Sequence, residues 1–375
     1  MSKCLYFVAG EASGDAHGAA LMTALRQLGP ELILTGRGGP RMRAVGGESL
    51  IDWSHGSAVL GLWEVIRNYG YFRQQFAATL QEIRDQRADA VVLIDYPGFN
   101  LRLARALRAK LPRVKIIYYI SPQVWAWNRR RIPQMAKYLD LMLCIFPFEA
   151  ELYNKSGLRT IFVGHPMMET LNARRVSESR DFQLVGLFPG SRSREVRKIL
   201  PIMLEAAQRL AAGRPGTHFE VAAVSEMLAE EAVRMLSDSA LPANLLRITI
   251  GEASATMQRA QAGMVASGTA TLEAAFFRMP FVLVYKVAGP TYLAGKILIR
   301  IKHLGMPNVL ADREIVPEFI QGKAQPAAIA KEMLHLLDNR SRREQMIADF
   351  DAVITKLGGG GASETAARAI LEAIG

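Results

Sequence analysis

Short, uninterrupted apolar runs recur along this chain, separated by segments patterned like amphipathic helices. In the first half the runs are 4–9, 32–35, 90–95, 115–120, 141–146 and 161–163, with helical patterns at 40–45, 62–86, 101–110, 130–138 and 148–154. A strand that is apolar at every position must be covered on both faces. Strands of that kind alternating with helices therefore indicate a parallel sheet layered between helices, an α/β fold. The pattern restarts at 183–188 and continues through 218–224, 246–250, 263–266 and 281–285, and beyond residue 316 the chain reads as helical. A chain of 375 residues exceeds one ordinary core. The polar, aperiodic stretch 173–182 reads as the linker between a domain at 1–172 and a second at 182–357. Four consecutive glycines, Gly358 to Gly361, form a joint, and a last helix over 363–374 is expected to cross back and pack on the first domain.

In parallel α/β sheets, ligands meet the carboxyl ends of the strands. Three strand ends in the first half are chemically marked: Gly10-Glu11-Ala12-Ser13-Gly14-Asp15, Asp95-Tyr96-Pro97-Gly98, and the stretch from Ser121 through Gln123 to Trp127. The first lacks the spacing of a dinucleotide fingerprint, and its two acids would repel a pyrophosphate. It suits hydroxyl groups, or serves as a polar helix cap. In the second half, Pro189-Gly190-Ser191-Arg192 breaks an apolar run and opens a basic helix. A helix start presents unpaired N–H groups and the positive dipole end, a ready phosphate site, and arginine matches phosphate oxygens. An ordinary turn with solvated arginines fits the same residues. Ser267, Gly268 and Thr269 open another helix in which Glu273 lies one turn on, placed either for a ribose diol or for the helix dipole. The turn Gly305–Asn308 presents an amide to a base or phosphate.

The formal net charge is +11, and the segment from Arg102 to Lys137 holds ten Lys or Arg and no acid. An anionic partner follows. Each basic residue near an anionic bilayer gains ~1 kcal/mol, and the adjoining stretch 59–76 places Leu62, Trp63, Ile66, Tyr69 and Phe72 on or beside one apolar face. That face either packs in the core or touches lipid and acyl chains. The interleaved aromatics of a single-strand nucleic-acid channel are absent, so no nucleic-acid partner is expected. Cys4 and Cys144 sit in apolar runs and read as free thiols of a reducing compartment. No signal peptide or spanning run is expected. The six scattered histidines form no metal-ligand set, there is no nucleophile elbow or Walker sequence, and Asp349-Phe350-Asp351 reads as surface charge in a helix. No metal and no cofactor are expected.

The stretches VAGEASGD (8–15), GGPRM (38–42), IDYPGFN (94–100), YISPQVWAW (119–127), PFE (147–149), VGHPM (163–167), PGSR (189–192), ASGTATLE (266–273) and MPN (306–308), with Glu318 downstream, occur in one order along nearly the whole chain. In that order they resemble the lipid-A-disaccharide synthase family. The resemblance implies a GT-B type fold, two Rossmann-like parallel-sheet domains facing a cleft, with the C-terminal helix crossing back to the first. It implies inverting transfer of 2,3-diacylglucosamine from its UDP derivative to 2,3-diacylglucosamine 1-phosphate, giving the β-1,6 disaccharide and UDP without a bound metal. By position, Asp95 becomes the general base, with Glu11 the alternative base or an acceptor ligand. Ser13, Ser121 and Gln123 line the acceptor side. Gly190, Ser191, Arg192, Ser267, Gly268 and Thr269 meet the diphosphate, Glu273 the ribose and Asn308 the nucleotide. Arg192 and Asp95 would then act on opposite sides of one sugar. The expected place is the cytoplasm, peripheral to the inner membrane, with oligomeric state, a homodimer included, left open. The alternatives are another UDP-sugar transferase or an epimerase of similar fold, or a non-catalytic, nucleotide-regulated membrane adaptor.

Overall fold

The computed structural model describes residues 2–53, 69–176, 179–289 and 302–375. The chain divides into two compact units, Met1–Glu169 with Leu357–Gly375, and Thr170–Lys356.

The first unit is built on strands β1 (Cys4–Ala9), β2 (Ile33–Gly38), β3 (Leu50–Asp52), β4 (Ala90–Ile94), β5 (Lys115–Tyr119), β6 (Leu141–Cys144) and β7 (Thr160–Phe162). All pair in parallel, in the order β3-β2-β1-β4-β5-β6-β7. Alternation along the buried strands builds two cores, one on each face. Leu5, Phe7 and Ala9 of β1 join Ala90, Val92 and Ile94 of β4 on one face. Tyr6 and Val8 join Val91 and Leu93 on the other. The first face is covered by the helices Ala12–Leu28 and Ala362–Ile374, the latter burying Ala366, Ala367 and Ile370. The chain re-enters this unit where the His165 amide donates to the Leu357 carbonyl at 2.9 Å. On the second face, Arg37 at the end of β2 donates to Glu82 of the helix Tyr69–Asp85 at 2.9 Å, and Tyr6 donates to the same carboxylate. This partly buried ion pair ties that helix to the sheet.

The second unit holds β8 (Asp181–Phe188), β9 (His218–Ala223), β10 (Leu246–Ile250), β11 (Ala260–Ala266), β12 (Phe281–Tyr285) and β13 (Glu318–Ile320), all parallel, in the order β10-β9-β8-β11-β12-β13. Both cysteines are buried free thiols.

The structure corrects several sequence expectations. The chain beyond 316 is not wholly helical, because Glu318–Ile320 adds an edge strand to β12. The stretch 173–182 is not all linker, because β8 already begins at Asp181. The helix expected at 101–110 starts at Pro97, where proline's missing N–H costs nothing in a first turn. Asp349 is not surface charge: it is 8% exposed and pairs with Arg313 at 2.6 Å, beside the fully buried Phe350.

Candidate functional site

Chain order reverses once in each sheet, and each reversal opens a crevice at the carboxyl ends of two neighbouring strands. In the first unit the reversal lies between β1 and β4, whose last paired residues are Ala9 and Ile94. Glu11 and Asp95 therefore emerge side by side. Gly10 makes the approach close, since a Cβ there would lie 2.3 Å from the Tyr96 ring. Asp95 and Tyr96 both take left-handed backbone conformations (φ 45 and 50), and Ile120 at the neighbouring β5 end does likewise (φ 64). Such conformations are rare for non-glycine residues, most of all β-branched ones, and persist only where surrounding contacts hold them. Here the Asp95 carbonyl accepts from Asn100 Nδ2 at 2.8 Å and Tyr118 Oη at 2.5 Å, while its amide donates to the Tyr119 carbonyl at 3.0 Å. The backbone is thus pinned and the partly buried carboxyl is set at the strand end. Burial raises the Asp95 pKa to about 6, the Glu11 charge pushes the same way, and the Tyr96 amide opposes both. A carboxylate near 6 is a competent base at neutral pH.

Ser13 is exposed in the first turn of the helix Ala12–Leu28, as is Glu11 at its N-cap. Asp15 is a different matter. It is 4% exposed and accepts from the amides of Gly39, Arg41 and Met42 at 2.9–3.0 Å, capping the helix Pro40–Gly46. One carboxylate thus couples the GEASGD and GGPRM stretches and does not face a ligand.

At the β5 end, Gln123 is exposed but Ser121 is not. Ser121 is 4% exposed and lies beside the Glu149 carboxyl, so in this structure its hydroxyl is buried, unlike the side chain of Gln123. Glu149 belongs to the PFE stretch, whose sequence assigns it no role. It is fully buried, accepts from Trp125 Nε1 at 2.8 Å and the Phe146 amide at 3.3 Å, and ties the 121–127 loop to the helix Pro147–Asn154. Tyr153 adds a bond from its hydroxyl to the Pro122 carbonyl at 2.9 Å. Glu149→Ala is expected to cost about 1–3 kcal/mol in denaturant melts, by stranding the indole N–H, and Glu149→Gln to restore most of that loss. Burial lifts the Glu149 pKa to about 7, against the pull of its hydrogen bonds. The raised value disfavours the fold fully above about pH 7, and this penalty fades as pH falls toward the unfolded carboxyl value. The stability of Glu149→Gln relative to the parent should therefore rise from about pH 5 to about pH 8.

Of the expected lipid-facing set, Leu62, Trp63 and Ile66 lie outside the described residues, as does the Tyr69 side chain. Phe72 packs, partly buried, against the core beneath the helix Tyr69–Asp85.

In the second unit the reversal lies between β8 and β11, with Phe188 paired to Val265. The 189–192 and 266–273 turns are therefore neighbours. Gly190 has φ +114, and a Cβ there would stand 2.7 Å from Glu195 Oε2. Arg192 is the N-cap of the helix Ser193–Gly213, whose start presents the Ser193 and Arg194 amides while the Glu195 and Val196 amides donate to the Arg192 carbonyl. Its guanidinium is 68% exposed and pairs with Glu195 at 3.2 Å. Ser191, Gly268 and Thr269 are exposed, Gly190 and Ser267 partly so, and Gly268 has φ +142. Glu273, partly buried, accepts from Ser254 Oγ at 2.6 Å. Tyr285, at the end of β12, lies within electrostatic reach of Arg192 and Glu195 and was not anticipated.

Asn308 corrects its expectation. It is fully buried: Nδ2 donates to Val316 O and Glu318 Oε1 at 2.8 and 2.9 Å, and Oδ1 accepts from the Ile315 and Val316 amides at 2.8 and 2.9 Å. All four hydrogen-bonding positions of the side chain are occupied, so it shapes the turn and does not reach a nucleotide. Glu318 likewise accepts from the Leu304 and Gly305 amides.

Among the described residues, no three His, Cys, Asp or Glu side chains group as a metal site, and no helix is long and apolar enough to cross a membrane. A family model described as lipid-A-disaccharide synthetase matches residues 5–372. The lipid-A-disaccharide synthase of Geobacter sulfurreducens is 40% identical over 385 aligned positions, covering 100% of this chain and 98% of that protein. Two solved structures share the architecture. UDP-GlcNAc 2-epimerase from Neisseria meningitidis, bound to UDP-GlcNAc, superposes with TM-score 0.61 at 11% identity, over 99% of this chain and 100% of that one. The calicheamicin glycosyltransferase superposes with TM-score 0.61 at 15% identity, over 100% and 98%. At such identities the likeness speaks to fold alone.

Proposed function

Because the chain belongs to the lipid-A-disaccharide synthetase family, a GT-B glycosyltransferase family of lipid A biosynthesis, we propose that it transfers 2,3-diacylglucosamine from UDP to the 6-hydroxyl of 2,3-diacylglucosamine 1-phosphate. The observation that carries the catalytic part is Asp95: a carboxyl with pKa raised to about 6, on a pinned, left-handed turn at a switch point, with Glu11 beside it. As the acceptor oxygen attacks the donor's anomeric carbon, Asp95 takes the hydroxyl proton. The electron pair of the breaking bond leaves with the diphosphate as UDP, and one displacement inverts an α donor to a β-1,6 product. Base catalysis of this kind contributes ~10²–10⁴-fold. In the second unit, the first-turn amides of the helix Ser193–Gly213 and the exposed Arg192 stabilise the departing diphosphate. Ser267, Gly268 and Thr269 complete that site, and Glu273 receives the ribose. Lipid substrates bring the protein to the cytoplasmic face of the inner membrane as a peripheral enzyme. The basic 102–137 segment and the 59–76 stretch support that placement.

The test is UDP release with each substrate alone and with both, in excess chelator. Release only with the pair, undiminished by chelator, is expected. Consumption of the UDP-sugar without acceptor would mark an epimerase, and binding without release an adaptor.

A further inference from the structure

The basic segment does more than spread charge over a surface. A cavity of about 260 Å³ opens between the start of the helix Pro97–Lys110 and the helix Ile132–Tyr138. Arg102, Arg105 and Arg131 line it, with Leu101 and Tyr138 as apolar wall and Gly98 at the helix start. Among the described residues no carboxylate pairs with these three arginines, whereas the neighbouring Arg108 is matched to Asp140 at 2.6 Å. Arg131 is held by stacking on Trp127, 4.9 Å from the ring centroid. Three like charges around one cavity repel one another, and an anion among them adds an attractive energy with each that offsets the repulsion. Guanidinium forks match phosphate oxygens. The first turn of the helix adds its positive end, and nothing lies within 4 Å of a Cβ placed on Gly98. Asp95 lies just before that helix, two residues ahead of Pro97.

We propose that this cavity is the subsite for the phosphomonoester of the acceptor sugar, with Arg102, Arg105 and Arg131 as its ligands. The identity of the acceptor rests on the function proposed above; the phosphate chemistry of the cavity does not. The site would fix the acceptor at its anionic end while its hydroxyl is delivered to the strand-end carboxylate.

The test uses the full-length protein carrying Arg102→Gln and Arg105→Gln together. Glucosamine 1-phosphate, titrated by NMR against a glucosamine blank, should bind the parent protein and bind the double variant at least tenfold more weakly, about the factor of one lost charge-assisted hydrogen bond. In neutral detergent micelles the KM for the 1-phosphate acceptor should rise by at least the same factor of about ten, with kcat and the donor KM within about twofold. With acceptor lacking the phosphate, parent and variant should perform alike. UDP affinity serves as the folding control. An unchanged acceptor KM and unchanged glucosamine 1-phosphate binding would overturn the proposal. If the variant instead lost only its binding to vesicles containing anionic phospholipid, the arginines would serve a headgroup surface, and the proposal would again fail. If the parent released no UDP with either acceptor, the functional reading would fall, while the titration would still decide the cavity.

Discussion

Asp95→Asn is expected to lower kcat by ~10²–10⁴-fold, the usual worth of a positioned base, while leaving UDP affinity unchanged. Asparagine keeps the shape of the side chain, and the contacts that pin this turn run through the Asp95 carbonyl and amide, which the substitution retains. The loss should therefore be chemical and not structural. In the parent enzyme kcat/KM should rise with pH through about 6 and then level, because below that value the carboxyl is protonated and cannot accept the acceptor's proton. That limb should vanish in the variant. Stability should move the other way. An aspartate whose folded pKa is raised penalises the fold fully above about pH 6, and the penalty disappears below its unfolded value of 3.8. At neutral pH the variant should melt higher, and the difference should shrink as pH falls through 6 toward 3.8. A variant within about tenfold of the parent rate would remove Asp95 as the base, with Glu11 the next residue to test.

Arg192→Ala is expected to weaken UDP binding by about ten- to a hundredfold, the range of one or two charge-assisted hydrogen bonds to phosphate. The guanidinium is mostly exposed and its ion pair with Glu195 is a surface one, so its removal should leave the unit's fold and melting temperature nearly unchanged. Glu273→Ala should also weaken UDP. Its carboxylate already accepts from Ser254 Oγ, so part of its loss would appear as a loosened turn. Undiminished UDP affinity in both variants, measured by calorimetry, would take the nucleotide out of the second unit.

Much of this architecture can be read from the chain because it rests on local pattern. Strands buried on both faces must be apolar at successive positions, so β1, β4 and β5 announce themselves. Gly190 marks a backbone angle that other residues rarely adopt. Of the three-residue edge strands, Thr160–Phe162 shows as an apolar run, whereas Leu50–Asp52 and Glu318–Ile320 carry an acid within the strand and do not stand out. The left-handed turn at Asp95 and Tyr96 is silent in sequence because it uses no glycine: the contacts of Asn100, Tyr118 and Tyr119 hold it.

The site was less legible than the fold for a related reason. A shared motif says that a residue matters but not which way it faces. Asp15 and Asn308 sit in motif stretches, yet each is buried and bonded within the fold, and Ser121 is buried as well. The partners of Asp15 lie beyond an intervening helix and strand, and those of Glu149 run back to Trp125, so neither pairing leaves a local signal. Conversely, Arg102, Arg105 and Arg131 look from sequence like a solvated basic face, and only the packing of two helices gathers them around one cavity.

The central claim is best tested by mass spectrometry of the parent protein incubated with UDP-2,3-diacylglucosamine and 2,3-diacylglucosamine 1-phosphate. The account predicts a disaccharide 1-phosphate and free UDP in equal amounts, with both inputs consumed together. Recovery of both inputs unchanged, or loss of the UDP-sugar with the acceptor intact, would contradict it.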